Sequence, residues 1–240
     1  MNSPDSIEDI LSLIAAAETD SLALRTRMED DWDLYILTPY QPTDEAGAAL
    51  NGYEAYTTTA SRNFFDKVLD ALLRAELLIS IKVPDDAPDA EREAAQKGTQ
   101  FLLGALAETD RRQERRGEPS LREALGFYAC LRGWVAMRAL VYTPKGSKDV
   151  RFEVTPWDPL HMTWAEGPDG LIWAAYKRRV TKSQIQAEYG IAVTGEETEV
   201  IDWWDEERNA VIIGGEFAKP PTKHQFGRPP VYINAVGSMP

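Results

Sequence analysis

Ile7, Ile10, Leu11 and Ile14 repeat at i, i+3, i+4 and i+7 behind Ser6, a residue suited to cap a helix start, and the pattern runs on through Leu24 and Met28 towards Trp32. This spacing predicts one long amphipathic helix. Residues 38 to 59 carry Pro39, Pro42, Gly47, Gly52 and the run Thr57-Thr58-Thr59, which predicts a long polar connection. Phe64, Phe65, Val68, Leu69, Leu72, Leu73 and Leu77 form a double apolar stripe opposite Asp66, Asp70 and Arg74, and a buried helix is expected. Ile79, Ile81 and Val83 alternate with Ser80 and Lys82, the period of a short strand that Pro84 stops. A third helix presents Phe101, Leu102, Ala105 and Leu106 and frays into the charged stretch from Glu108 to Glu118. Pro119, Ser120 and Glu123 then set a capping box for a fourth helix ending near Gly133.

From Trp134 the period changes. Trp134 to Tyr142 predicts a buried strand, Pro144 to Ser147 a turn, and Arg151 to Thr155 the returning strand of a hairpin with Phe152 and Val154 inward. Further strands are predicted at 171–176 and 199–204, flanking a short helix that Thr181 and Gln184 cap. The turn 205–209 leads to a strand at 210–213, and a last strand covers 231–236. The expected fold is α+β, with a helical part over 1–133 packed on a mixed, mainly antiparallel β-rich part over 134–240. The chain then stops at Gly237 to Pro240 with neither a closing helix nor a polar tail, which reads as truncation of something longer.

Composition is that of a globular chain: 240 residues, 43% apolar and 27% charged, enough to bury a substantial core. With a single cysteine, Cys130, no internal disulfide is possible and no Cys/His cluster can hold zinc; a reducing compartment is expected. No run of some 18 apolar residues and no basic N-terminal leader is present, so neither membrane spanning nor secretion is expected. The net charge of −13 is unevenly spread: successive sixty-residue quarters carry −10, −2, +3 and −4. A protein that grips duplex DNA by counterion release needs a basic face, and only the third quarter leans that way.

Nothing in the sequence encodes familiar catalysis. There is no phosphate-binding glycine loop, no Gly-x-Ser-x-Gly elbow, and only two histidines, His161 and His224, both read as structural. A metal-dependent nuclease is the enzyme class to test, because Asp169 precedes a strand ending at Lys177, but Ala175 stands where such a motif has its acid. No catalytic residue, cofactor or metal ligand is assigned. Glu29-Asp30-Asp31-Asp33 and Asp205-Glu206-Glu207 read as solvated acidic clusters. Arg111, Arg112, Arg115 and Arg116 make one basic helix face, with Asp110, Glu114 and Glu118 interleaved for local pairing. Most of the seven tryptophans fall in the β region, too scattered for a base-stacking platform and suited to a core or an intersubunit surface. Arg111, Arg112, Arg115, Arg116, Trp157, Trp164 and Trp204 are the candidate subunit or partner interface.

Several segments in order carry a resemblance. They are Tyr56-Thr57-Thr58-Thr59-Ala60-Ser61-Arg62 leading into Phe64-Phe65-Asp66-Lys67, Trp157-Asp158-Pro159 with Trp164, and Gly167-Pro168-Asp169-Gly170-Leu171. Ile185 and Tyr189, Val200-Ile201-Asp202-Trp203-Trp204, and His224 through Gly227 to Pro230-Val231 follow. The set, over roughly residues 25 to 236, resembles the N-terminal half of tailed-bacteriophage portal proteins, the head-to-tail connectors. One branch of that family has Tyr-Thr-Ser-Asn-x-Pro-Arg in the first segment, and here Thr59 and Ser61 stand at its Asn and Pro. The resemblance implies the wing of a ring subunit, commonly one of twelve, at the virion's portal vertex, with stem, channel loop and crown absent from this chain. The implied partners are further copies of the subunit, the terminase large subunit, neck or adaptor proteins, the major capsid protein, and double-stranded DNA passing through without tight binding. The alternatives are a metal-dependent phage DNA-processing enzyme, in which Asp158, Asp169 and Asp202 would converge, and a monomeric intracellular binding module.

Overall fold

The computed structural model describes residues 4–50, 52–53, 57–76, 78–144 and 146–237, so Tyr56, Leu77 and Lys145 of the segments above lie outside the described residues. The fold is α+β, with six helices and two antiparallel sheets among the described residues. The helices are α1 (Ile7–Asp20), α2 (Leu22–Ile36), α3 (Ala60–Arg74), α4 (Asp89–Arg115), α5 (Leu121–Arg132) and α6 (Lys182–Tyr189). The strands are β1 (Trp134–Tyr142), β2 (Arg151–Trp157), β3 (Met162–Gly167), β4 (Gly170–Thr181), β5 (Glu197–Asp205), β6 (Arg208–Ile213), β7 (Glu216–Lys223) and β8 (Val231–Ala235). One sheet has the order β2-β1-β8, the other β3-β4-β5-β6-β7. The chain forms two compact units: Met1–Arg25 with Ala136–Leu140 and Thr155–Asn234, and Thr26–Val135 with Val141–Val154 and Ala235–Pro240.

The first unit is built on the five-stranded sheet, and β5 is its middle strand. Val200 to Asp205 are buried without a break, as expected of a strand covered on both faces. On one face Trp173, Ala175, Ile201, Trp203, Ala210 and Ile212 meet Ile10 and Ile14 of α1. The Ser6 hydroxyl accepts from the Asp9 amide at 3.1 Å, the expected cap. Ile7, Ile10 and Ile14 of the repeat therefore serve a sheet made much later in the chain, while Leu11 is exposed. The opposite face carries two clusters. One gathers Ala136, Trp157, Met162, Ala174, Trp204 and Val231, with Trp157 stacked on Tyr176 at 4.8 Å; the other gathers Val180, Ile185, Val200, Val211 and Ile213.

The expected single helix over 7–32 is interrupted at Ser21, where α1 ends and α2 begins. The Ser21 hydroxyl donates to the Ala17 carbonyl at 2.8 Å, competing with the backbone ladder, a known cause of helix bending. Arg25, one turn on, donates to the Met162 carbonyl at 2.8 Å and ties α2 to β3.

In the second unit α3 meets α5 through Tyr35, Phe65 and Phe127, whose rings stand edge to face at 4.7 to 5.4 Å. Gly126 is the point of closest approach, since a Cβ there would stand 3.3 Å from Leu69. Arg122 donates to the Leu72 carbonyl at 3.1 Å and to that of Ala75, closing the C-terminal end of α3.

Three expectations fail in this unit. The helix α3 is not buried: Phe65 alone of its apolar stripe is, while Phe64 is 71% exposed and Val68 and Leu72 are open to solvent. Residues 79–83 form no strand either. The Ile81 amide donates to Thr99 Oγ1 at 3.0 Å, and a Cβ at Gly98 would stand 2.6 Å from Ile81 Cδ1, so the segment lies along α4 in place of a partner strand. The helix α4 also holds through Arg115 and does not fray at Glu108. Strands β3 and β7 were outside the expectation. The sequence of β7, Glu-Phe-Ala-Lys-Pro-Pro-Thr-Lys, hides a strand because proline cannot donate to a ladder. It is tolerated here at the sheet edge, beside a register shift opposite Val211.

The capping box of α5 is complete, with Ser120 and Glu123 each accepting from the other's backbone amide. The backbone N–H and hydroxyl of Ser120 hold the Glu123 carboxyl below its ordinary value near 4.5. A carboxyl depressed by folding stabilises above its unfolded value, and that stabilisation is lost as pH falls through the folded one. Ser120→Ala is expected to cost about 1 kcal/mol in urea unfolding at neutral pH. Glu123→Gln is expected to flatten the acid limb of the stability profile, and an unchanged limb would dismiss the carboxylate's part in the cap.

Candidate functional site

The sheet of the first unit brings together a polar belt that divides its second face. Tyr176, Asp202 and Val211 are directly opposite one another across β4, β5 and β6, so Asp202 projects between the two apolar clusters. Arg138 of β1 pairs with Asp202 Oδ2, and Asn209 Nδ2 donates to Asp202 Oδ1 at 2.9 Å and to the Trp203 carbonyl at 2.9 Å. Lys219 of β7 donates to Asn209 Oδ1 at 2.6 Å, and burial pushes its ammonium below the usual lysine range. The Arg138 guanidinium also lies 5.8 Å from the centre of the Trp157 ring. At one end Arg178 holds Glu188 at 2.6 Å and Tyr189 at 3.4 Å, and burial raises both the Tyr176 and Tyr189 hydroxyls above their ordinary value.

Chemically this belt is a closed network. Both oxygens of Asp202 accept a hydrogen bond, so the carboxylate is committed to Arg138 and Asn209 and does not face a cleft as a base would. Arg138 comes from the three-stranded sheet and Asp202 from the five-stranded one, so the pair joins the two sheets, and a carboxylate among apolar side chains is costly to bury without such a cation. The sequence signal was there in opposite signs, Arg138 within Ala-Met-Arg-Ala-Leu and Asp202 within Val-Ile-Asp-Trp-Trp, each a single charge in an apolar run. Neither Asn209 nor Lys219 was singled out, because polar residues next to a turn and on an edge strand carry no such mark.

The candidate interface residues are scattered between this region and α4. Trp157 and Trp204 are buried, and Trp164 packs against the same cluster. Arg111, Arg112 and Arg115 all reach Glu108, at 3.6 to 3.7 Å, so local pairing does occur, though through Glu108 and not through the interleaved acids. Arg116 is the C-terminal cap residue of α4, and Asp110 accepts the Leu121 amide at 2.8 Å. Arg112 additionally donates to the Phe152 carbonyl at 2.7 Å, fixing α4 to the start of β2.

The residues weighed for catalysis hold structural positions. Asp158 accepts the Leu160 amide at 3.0 Å, Asp169 sits in the β3–β4 turn, and Asp202 is in the belt; among the described residues no group of three metal-capable side chains forms. His224 faces the Asp205 carbonyl through Nε2 at 3.0 Å and accepts the Phe226 amide on Nδ1 at 3.3 Å, which places its proton on Nε2. The ring packs 5.4 Å from Trp204. Burial raises the Cys130 thiol above its ordinary value, away from the thiolate a nucleophile requires. Among the described residues no helix is long and apolar enough to cross a membrane.

No family model matches the chain, and no curated protein matches it.

Proposed function

We propose that the chain is the wing of a portal-ring subunit, a structural part of the phage capsid vertex through which DNA is packaged and ejected. The observation that carries the reading is the large apolar surface left bare by the helical unit. Phe64, Leu78 and Phe101 are exposed, as are Val68, Leu72, Ile81 and Leu103, and Leu72 and Leu103 line one largely apolar groove with Leu73, Ile79 and Leu106. Such a surface belongs to a chain that finishes its packing against other molecules.

The segments that carry the portal resemblance supply the second support. Trp157-Asp158-Pro159 closes β2 and caps the turn before β3, Gly167 to Gly170 makes the β3–β4 turn, and Val200 to Trp204 is the buried heart of β5. They are positions a scaffold needs, spread over both sheets. In this reading the terminase large subunit, neck proteins and major capsid protein attach to the ring. DNA slides past an acidic wall that repels its phosphates.

The test is electron microscopy of the chain expressed with whatever follows it in its reading frame, which is expected to give closed rings. The 240-residue chain is expected to stay largely monomeric at micromolar concentration, and its affinity for duplex DNA to remain weak from low to physiological salt. A monomeric longer product, or sub-micromolar duplex binding that falls steeply with salt, would reject the proposal. So would plasmid cleavage with Mg²⁺ or Mn²⁺ that Asp169→Ala abolishes, the result expected of the enzyme alternative.

A further inference from the structure

A groove of about 580 Å³ runs between α4 and the start of β2, inside the second unit. Its floor is apolar and open, with Phe101 and Val150 each more than 60% exposed and Phe152 beside them. Its rim is cationic: Arg112, Arg115 and Arg151 line it, Arg111 stands next to them on α4, and Glu108 is the one carboxylate among the described lining residues. Three of the four arginines share that single acid, so the rim keeps a net positive charge. Glu153, the nearest other acid on β2, accepts from the Tyr142 hydroxyl at 3.1 Å. Such a groove fits an acidic segment that also carries aliphatic side chains.

The chain itself holds a segment of that description, on a different element of the same unit. Glu29, Asp30, Asp31 and Asp33 fall within five residues of α2, and all but Asp31 are exposed. Asp30, Asp33 and Leu34 stand at i, i+3 and i+4 and so share one helix face, with Ile36 exposed at its end. No residue of α2 lines the groove, so the two complementary patches do not satisfy each other within one molecule.

We propose that the arginine groove of one copy receives the acidic end of α2 from a second copy. Two different patches meet head to tail in this arrangement, the heterologous contact that closes into a ring when the rotation per subunit allows it. The inference rests on the ring reading only for the closure; the pairing of groove and helix rests on charge and shape.

Charge reversal in the full chain tests it. Arg115→Glu with Arg151→Glu makes the groove acidic while leaving Arg112 on Phe152, and Asp30→Arg with Asp33→Arg makes the helix end basic. Sedimentation velocity up to about millimolar protein is expected to show weak self-association of the unmodified chain, weakened more than tenfold in either reversed protein. Mixing the two reversed proteins puts an acidic groove against a basic helix in one contact and the original pair in the other, and association is expected to return. Circular dichroism spectra matching the unmodified chain establish that both variants fold. Unchanged association of the reversed proteins, or a mixture that stays apart, overturns the proposal. So does salt-sensitive binding of a short duplex that the groove reversal abolishes while self-association persists. Rings of the longer product that survive the reversals refute the groove and leave the ring reading standing. A rescued mixture that forms only open chains supports the groove and refutes closure.

Discussion

Trp203→Ala will lower the unfolding free energy by about 3 to 5 kcal/mol, the range for deleting a fully buried aromatic side chain. Trp203 has no exposed surface and sits where Ile10 and Ile14 of α1 meet Trp173, Ile201 and Ile212. Truncation therefore loosens the one helix that covers this face, as well as leaving a void that close-packed neighbours can only partly fill. The indole Nε1 is buried without a hydrogen-bond partner, which makes the site informative in a second way. Trp203→Phe removes that unmet donor along with part of the ring, so it is expected to cost about 1.5 kcal/mol or less, the unmet-donor penalty offsetting part of the lost contact. Urea unfolding followed by circular dichroism measures both. Equal losses in the two variants would show that the donor is satisfied in solution, for instance by water.

Arg138→Met will be destabilising by a similar amount, about 3 to 5 kcal/mol, for an electrostatic reason. The variant keeps length and apolar bulk but leaves Asp202 hydrogen-bonded to Asn209, with the Lys219 ammonium a remaining cation of the belt, in a carboxylate site nearly enclosed by two apolar clusters. The double variant Arg138→Met with Asp202→Leu removes both charges and is expected to recover most of the loss. If Arg138→Met costs less than about 1 kcal/mol, the pair is effectively solvated and does not hold the two sheets together.

Local structure was largely legible from the residues. Ser6, the Ser120–Glu123 pair and the Thr181–Gln184 pair all cap the helices expected of them, because a cap depends on atoms within a few residues of one another. The buried strand at Val200 to Trp204 was equally plain, since an apolar run of that length fits a sheet interior and little else. Failures came where distant partners decide. The alternation at Ile79, Ile81 and Val83 met no second strand, and the stripe of α3 met too few neighbours to be covered. Short β3 and proline-bearing β7 are strands only because β4 and β6 lie beside them. The belt was harder still, because Arg138 and Asp202 are 64 positions apart and each reads alone as an oddity in an apolar run.

The placement of α1 sets the order in which a nascent chain can finish. Ile10 and Ile14 leave the ribosome well before the face that covers them, which includes Ile201 and Ile212, made roughly 190 residues later. At about 5 to 20 residues per second that interval is about 10 to 40 s, during which an apolar helix waits without its sheet. Contacts so far apart in sequence raise the contact order, which goes with slower folding. The covering of α1 therefore waits on completion of β5 and β6.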